Sequence, residues 1–150
     1  MSFFSTRGTS CVTASQAILQ GISWDGGLFV PVMFPPFSAN QQIPFFELPY
    51  WRQAASIFSF FLDDFSSKEI ESICKVAYER RFIQDSAISL ADLNENTFVA
   101  ELFHGPTLSS KDFSALPFPH LLTAAAEKNN ISKQLVTIAP TNGDSGSAIL

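Results

Sequence analysis

The residues best suited to chemistry fall in two short segments. Glu101-Leu102-Phe103-His104-Gly105-Pro106-Thr107-Leu108-Ser109-Ser110-Lys111-Asp112-Phe113 puts one lysine on a turn between an apolar strand-like run and a helix-like run. Thr141-Asn142-Gly143-Asp144-Ser145-Gly146-Ser147 is a small-residue loop that follows a second strand-like run and opens into another helix. A lysine at a strand end, facing such a loop, is able to form a Schiff base beside an anion site. Its amine is nucleophilic only when deprotonated, and Phe103, Leu108, Phe113 and Leu116 are apolar enough to desolvate it. In the second segment Gly143 and Gly146 permit close backbone approach, while Thr141, Asn142, Ser145 and Ser147 supply small donors. The helix N-terminus that follows would attract a substrate carboxylate.

Taken singly, each segment also has a plainer reading. Lys111 is then an exposed loop lysine with Asp112 as a helix cap, and the loop is a tight turn capped by Asp144 or Ser145. Metal chemistry has little support, because His104 and His120 are the only histidines and neither sits at zinc-ligand spacing. His104 reads as a hydrogen-bonded loop residue. Walker, dinucleotide Gly-x-Gly-x-x-Gly and Gly-x-Ser-x-Gly patterns are all missing.

The elements that must position these segments are legible in part. Thr13 and Gln16 form a capping box for a helix over Ala14–Gln20, stopped by Gly21. Trp24-Asp25-Gly26-Gly27 is a turn before a short strand, Leu28-Phe29-Val30, and residues 31 to 49 read as irregular. Phe46–Leu62 is expected to be a helix buried on more than one side, with Pro49 near its first turn. Ser66 and Glu69 cap a further helix whose stripe of Ile70, Ile73, Cys74 and Ala77 faces a core. Beyond residue 95 the rhythm becomes strand, turn, helix: Phe98–Phe103 and Leu135–Ala139 as strands, Leu121–Lys128 as a helix. That alternation predicts a parallel α/β sheet, with both candidate segments at carboxyl ends of strands.

At 150 residues, with 46% hydrophobic and 15% charged residues, the chain can bury a core and is not disordered. The 16 phenylalanines suggest a thick core or faces meant for a missing partner. A formal charge of −5 argues against nucleic acid, whose binding depends on Lys and Arg neutralising phosphates. No stretch has the length of a membrane span, and no signal peptide is evident. Cys11 and Cys74 form no disulfide framework, so a cytoplasmic, reducing location is expected. The pattern leaves the oligomeric state open.

Four ordered pieces of the chain resemble the threonine synthases, pyridoxal-phosphate (PLP) enzymes of the tryptophan-synthase-β-like family, fold type II. They are Ser5-Thr6-Arg7-Gly8 with Ala17-Ile18-Leu19-Gln20-Gly21-Ile22, then Asp25-Gly26-Gly27-Leu28-Phe29-Val30-Pro31, then Glu101–Phe113, then Thr141–Ala148. The resemblance implies an α/β fold with a helical and irregular N-terminal subdomain over residues 1–95. Residues 96–150 would be the start of the catalytic PLP domain. It implies that Lys111 carries PLP and shuttles protons, and that Asp144 lies by the cofactor ring. Thr141, Asn142, Gly143, Ser145 and Gly146 would hold the substrate. The implied reaction is a lyase step on a small molecule, O-phospho-L-homoserine plus water giving L-threonine and phosphate.

Several features depart from the family pattern. Ser109-Ser110 replaces Ala-Phe before the lysine, Asn142 and Ser145 replace Ser and Thr, and Pro117 and Pro119 fall where a helix should run unbroken. The phosphate loop for PLP and the partner of its pyridine nitrogen lie downstream in the family. The chain stops within the first turn of an apolar helix, and the expectation is that residues 1–150 are the front part of a larger enzyme or the product of a truncated gene. The rival readings are a non-catalytic remnant or interaction module, and another fold type II PLP lyase.

Overall fold

The computed structural model describes residues 1–36, 45–83, 87–141 and 143–149. Two small antiparallel sheets and six helices make up the described secondary structure. Strand β1 (Phe3–Ser5) is the centre of the first sheet, flanked by β2 (Cys11–Val12) and β3 (Phe29–Pro31). Phe3 sits opposite both Val12 and Pro31, and Phe4 opposite Cys11 and Val30. Pro31 is tolerated because β3 is an edge strand, where a missing N–H breaks no ladder.

Side chains lock this sheet together. The Asp25 carboxylate accepts from the Ser5 hydroxyl at 2.6 Å and from the Gly27 amide at 2.9 Å. The Ser5 bond, then the Gly27 bond, hold its carboxyl below the usual carboxylate range. Leu28 donates its amide to Thr6 Oγ1 at 3.0 Å. A side chain at Gly27 would collide with the Ser5 hydroxyl and stand 2.9 Å from the Arg7 amide nitrogen. Ser5-Thr6-Arg7-Gly8 and Asp25-Gly26-Gly27 are thus two halves of one interlocked turn.

Helix α1 (Ala14–Gln20) carries the expected Thr13–Gln16 capping box and ends at Gly21, whose φ of 68° lies in the left-handed region. The predicted Phe46–Leu62 helix is shorter: α2 runs Tyr50–Phe61, with Pro49 as its N-cap. Proline cannot donate into a preceding turn, so the helix begins after it. Only Ala54 and Ala55 within α2 are fully buried and Ile57 is exposed, so α2 is less enveloped than its composition predicts. Helix α3 (Ser67–Tyr78) has the Ser66–Glu69 capping box and buries Ile70, Ile73, Cys74, Ala77 and Tyr78. Burial pushes the Cys74 thiol up to about 12, and both cysteines are free.

The core lies between α2 and α3 and continues under α1 and the alanine face of helix α5 (Phe118–Lys128). Asn129, just past α5, donates to the Ser15 hydroxyl at 3.0 Å, and Lys128 pairs with Glu69 at 3.0 Å. These bonds tie the end of α5 to α1 and α3.

The second half departs from the predicted topology. Strand β5 (Thr97–Glu101) replaces Phe98–Phe103 and pairs antiparallel with β4 (Ser89–Asn94). Leu135–Ala139 forms no strand among the described residues, and Leu135, Val136 and Ile138 are exposed. An apolar run becomes a strand only when a neighbour takes up its backbone N–H and C=O groups, and the described residues place none beside it. The mixed α/β class holds, whereas every strand pair among the described residues is antiparallel. Of the irregular 31–49 segment, residues 37–44 lie outside the described residues.

Candidate active site

Lys111 stands at the entrance to helix α4 (Asp112–Ala115), on a turn held mainly by its neighbours. Asp112 is 0% exposed. Its carboxylate accepts from the Thr107 amide at 3.0 Å and from the Thr107 hydroxyl at 2.7 Å. Asp112 therefore does not cap its own helix but fastens the preceding Gly105-Pro106-Thr107 turn. Gly105 is required by this closure, since a Cβ there would run into the Asp112 carboxylate. Leu108 takes φ of 58°, unusual for a side chain of its size, and lets the chain reverse towards Ser109.

Ser109 braces the turn that leads into the helix. Its hydroxyl accepts from the Lys111 amide at 3.2 Å and its carbonyl from the Asp112 amide at 3.1 Å. The departure from Ala to Ser at this position thus serves the lysine turn directly.

Desolvation of Lys111 does not follow the sequence expectation. Lys111 is exposed, and Phe103 and Leu108 are 50% and 64% exposed. Phe113 turns the other way, stacking on Phe82 at 5.1 Å and meeting Tyr50 edge-on at 5.7 Å. Two residues along a helix point to nearly opposite sides, so Phe113 belongs to the core and not to the amine. His104 is buried, with Nε2 2.9 Å from Glu101 Oε2, as a hydrogen-bonded loop residue should be.

The prolines after the lysine are accommodated without breaking the chain's course. Pro117 is the N-cap of α5 and Pro119 lies in its first turn, where amide donors have no helical partner anyway.

In the second segment, Thr141 is the organiser. Its Oγ1 accepts from the amides of Gly143 at 3.1 Å and Gly146 at 3.0 Å. Thr141 thus supplies an acceptor just ahead of helix α6 (Asp144–Ile149). Gly146 packs so closely on the Thr141 side chain that an added Cβ would meet Thr141 Cγ2. Asn142 lies outside the described residues, as does the side chain of Asp144.

The two segments meet. Lys111, Ser114, Ala115 and Phe118 share a pocket of about 270 Å³ with Ser145 and Ile149. It offers one primary amine, two hydroxyls and three apolar walls. That donor set suits an aldehyde-bearing aromatic ring: the amine for the aldehyde, flat apolar surfaces for the ring, hydroxyls for its polar edge. Among the described residues no group of three or more His, Cys, Asp or Glu is placed to hold a metal ion, and no helix is long and apolar enough to cross a membrane.

Comparison with known proteins gives the same direction. The threonine synthase N-terminus family matches residues 2–78. Threonine synthase of Pseudomonas aeruginosa is 33% identical over 152 aligned positions, which cover all of this chain and 32% of that protein. The Escherichia coli threonine synthase structure superposes with a TM-score of 0.83 at 28% identity, covering 99% of this chain and 33% of the other. The PLP-bound threonine synthase structure from Brucella melitensis has a TM-score of 0.76 at 30% identity, over 87% of this chain and 28% of the other. The architecture is the mixed α/β fold of the N-terminal region of those enzymes. The chain belongs to the threonine synthase family. It spans about a third of the length of these relatives.

Proposed function

We propose that this chain bears the cofactor lysine of a PLP-dependent threonine synthase, acting on O-phospho-L-homoserine and water to give L-threonine and phosphate. One observation carries the reading: Lys111 and Ser145, from segments far apart in sequence, line the same pocket. Lys111 would hold PLP covalently through Nζ and, once freed from it by the substrate amine, would move protons at the substrate carbons. Bound PLP supplies an electron sink for the charge left by proton removal. Thr141, Asn142, Gly143, Ser145 and Gly146 would orient the substrate carboxylate, with Asp144 beside the ring. The apolar walls of Ala115, Phe118 and Ile149 would exclude water from one side. Cytoplasmic location accords with two free cysteines.

The test is borohydride fixation of PLP on the purified chain, followed by peptide mass mapping. PLP fixed at Lys111, lost in Lys111→Ala, supports the assignment; fixation spread over surface lysines refutes it. For the reaction itself, phosphate release from O-phospho-L-homoserine should exceed turnover of O-acetyl-serine. The reverse order would favour another PLP lyase.

A further inference from the structure

The carbonyl of Phe113 has no partner within its own helix. Backbone angles remain helical through the junction: φ and ψ are −58° and −44° at Leu116 and −78° and −20° at Pro117. The residue four positions after Phe113 is Pro117, which has no N–H to give. The Phe113 carbonyl instead accepts the Tyr78 hydroxyl at 2.6 Å. Tyr78 is buried at the last position of α3, its ring 5.1 Å from Tyr50 and 6.3 Å from Phe82. Burial raises its phenol, with Tyr50 and Cys74 adding to the effect, so it stays protonated and able to donate. Pro117 is among the fully buried side chains.

We propose that Tyr78 is a positioning residue for Lys111, its phenol supplying the hydrogen bond that Pro117 withholds from the lysine-bearing turn. This rests on the reading of Lys111 as the cofactor lysine. The turn that starts at Lys111 is short, and its amides at Ser114 and Ala115 both donate to the Lys111 carbonyl. Without a donor for Phe113, a part-buried carbonyl would be left open and the turn would fray. The rings of Tyr50 and Phe82 grip the Phe113 ring, while the Tyr78 phenol grips its backbone. Together they fix where the helix begins and hence where the Lys111 stem leaves it. Tyr78 and Pro117 form a matched pair: each makes sense only with the other.

Four forms of the chain test this: wild type, Tyr78→Phe, Pro117→Ala and the double variant. Tyr78→Phe keeps the ring and removes only the hydroxyl, while Pro117→Ala restores a backbone donor. Amide hydrogen exchange at Ser114, Ala115 and Leu116 is expected to quicken about tenfold in Tyr78→Phe. The same change made on the Pro117→Ala background should alter it less than about twofold, because the helix then closes its own bond. Borohydride fixation of PLP at Lys111 should slow in Tyr78→Phe and recover in the double variant. Unchanged exchange in Tyr78→Phe, or an equal quickening on both backgrounds, overturns the matched pair. Expected exchange with equal fixation in all four forms overturns the positioning of Lys111. If wild type itself fixes no PLP at Lys111, the cofactor-lysine reading falls, and exchange still decides the Tyr78–Pro117 pair.

Discussion

Gly105→Ala should damage the lysine turn through a residue that never touches the pocket. An added methyl would overlap Asp112 Oδ2 and lie 2.8 Å from its Cβ and 2.9 Å from its Cγ. The carboxylate would have to retreat by about 1 Å to reach ordinary contact distance. It has no room to do so while keeping its bonds of 3.0 and 2.7 Å to Thr107. Overpacking of this kind costs about 1–3 kcal/mol, and each hydrogen bond to a charged acceptor contributes about 1.5–3. Thr107 is only part-buried, so water would replace some of that loss. A net destabilisation of about 3 kcal/mol is expected, which for a domain of this size lowers Tm by roughly 6–12 °C. Thermal unfolding followed by near-ultraviolet circular dichroism measures it. The double variant Gly105→Ala with Asp112→Ala should unfold at a higher temperature than additivity predicts, because the vacated carboxylate space accepts the methyl. A Gly105→Ala protein within about 2 °C of wild type would refute the reasoning, as would strict additivity in the double variant.

Further measurements address other parts of the fold. Glu69 accepts from the Ser66 hydroxyl and amide and pairs with Lys128, which together hold its carboxyl down to about 2. Because the folded value is depressed, its stabilisation is complete above about pH 4.5 and is lost as pH falls towards about 2. Urea midpoints should therefore drop across that window less steeply in Glu69→Gln than in wild type. Maleimide should label Cys11, which is exposed, and leave Cys74 untouched until the chain unfolds; simultaneous labelling in native buffer would contradict the buried α3 stripe. Asp25→Ala removes the acceptor for Ser5 and Gly27, and exchange of the Gly27 amide should quicken while that of Cys74 does not change.

Local signals were legible where they act locally. The Thr13–Gln16 and Ser66–Glu69 boxes each need only four consecutive residues, and both caps form as read. The α3 stripe was legible for the same reason: one helix face decides it. Strand pairing was not, because a strand's partner is a matter of what lies beside it. Thr97–Glu101 pairs with Ser89–Asn94, a run whose alternation is broken by Asp92 and Asn94, and no parallel neighbour stands next to Leu135–Ala139 among the described residues. The site divided likewise. Lys111 and Ser145 were singled out by composition and sequence order, and they share a pocket. Asp112, Thr107, Ser109 and Tyr78 escaped notice as supports of Lys111, since only the closed turn reveals which acceptor meets which donor. One clue was available: a proline four residues after Phe113 leaves a carbonyl that some other group must satisfy.

The three-stranded sheet near the N-terminus draws on neighbours close in sequence. Its central strand β1 finds one partner in β2 and the other in β3, so every pairing is complete by Pro31. Helix α1, lying between those strands in the chain, has its seat on α5 and its Ser15 bond to Asn129. Closing the sheet requires only short loops, whereas docking the helix requires a loop of more than a hundred residues. On a ribosome, the sheet would be free to zip up early, its helix held at first only by bonds such as that of the Ser15 amide to Asp64 and fully seated once α5 emerged. The interval between those events is when the apolar side of α1 is open to a chaperone, and synthesis slowed within residues 32–117 would lengthen it.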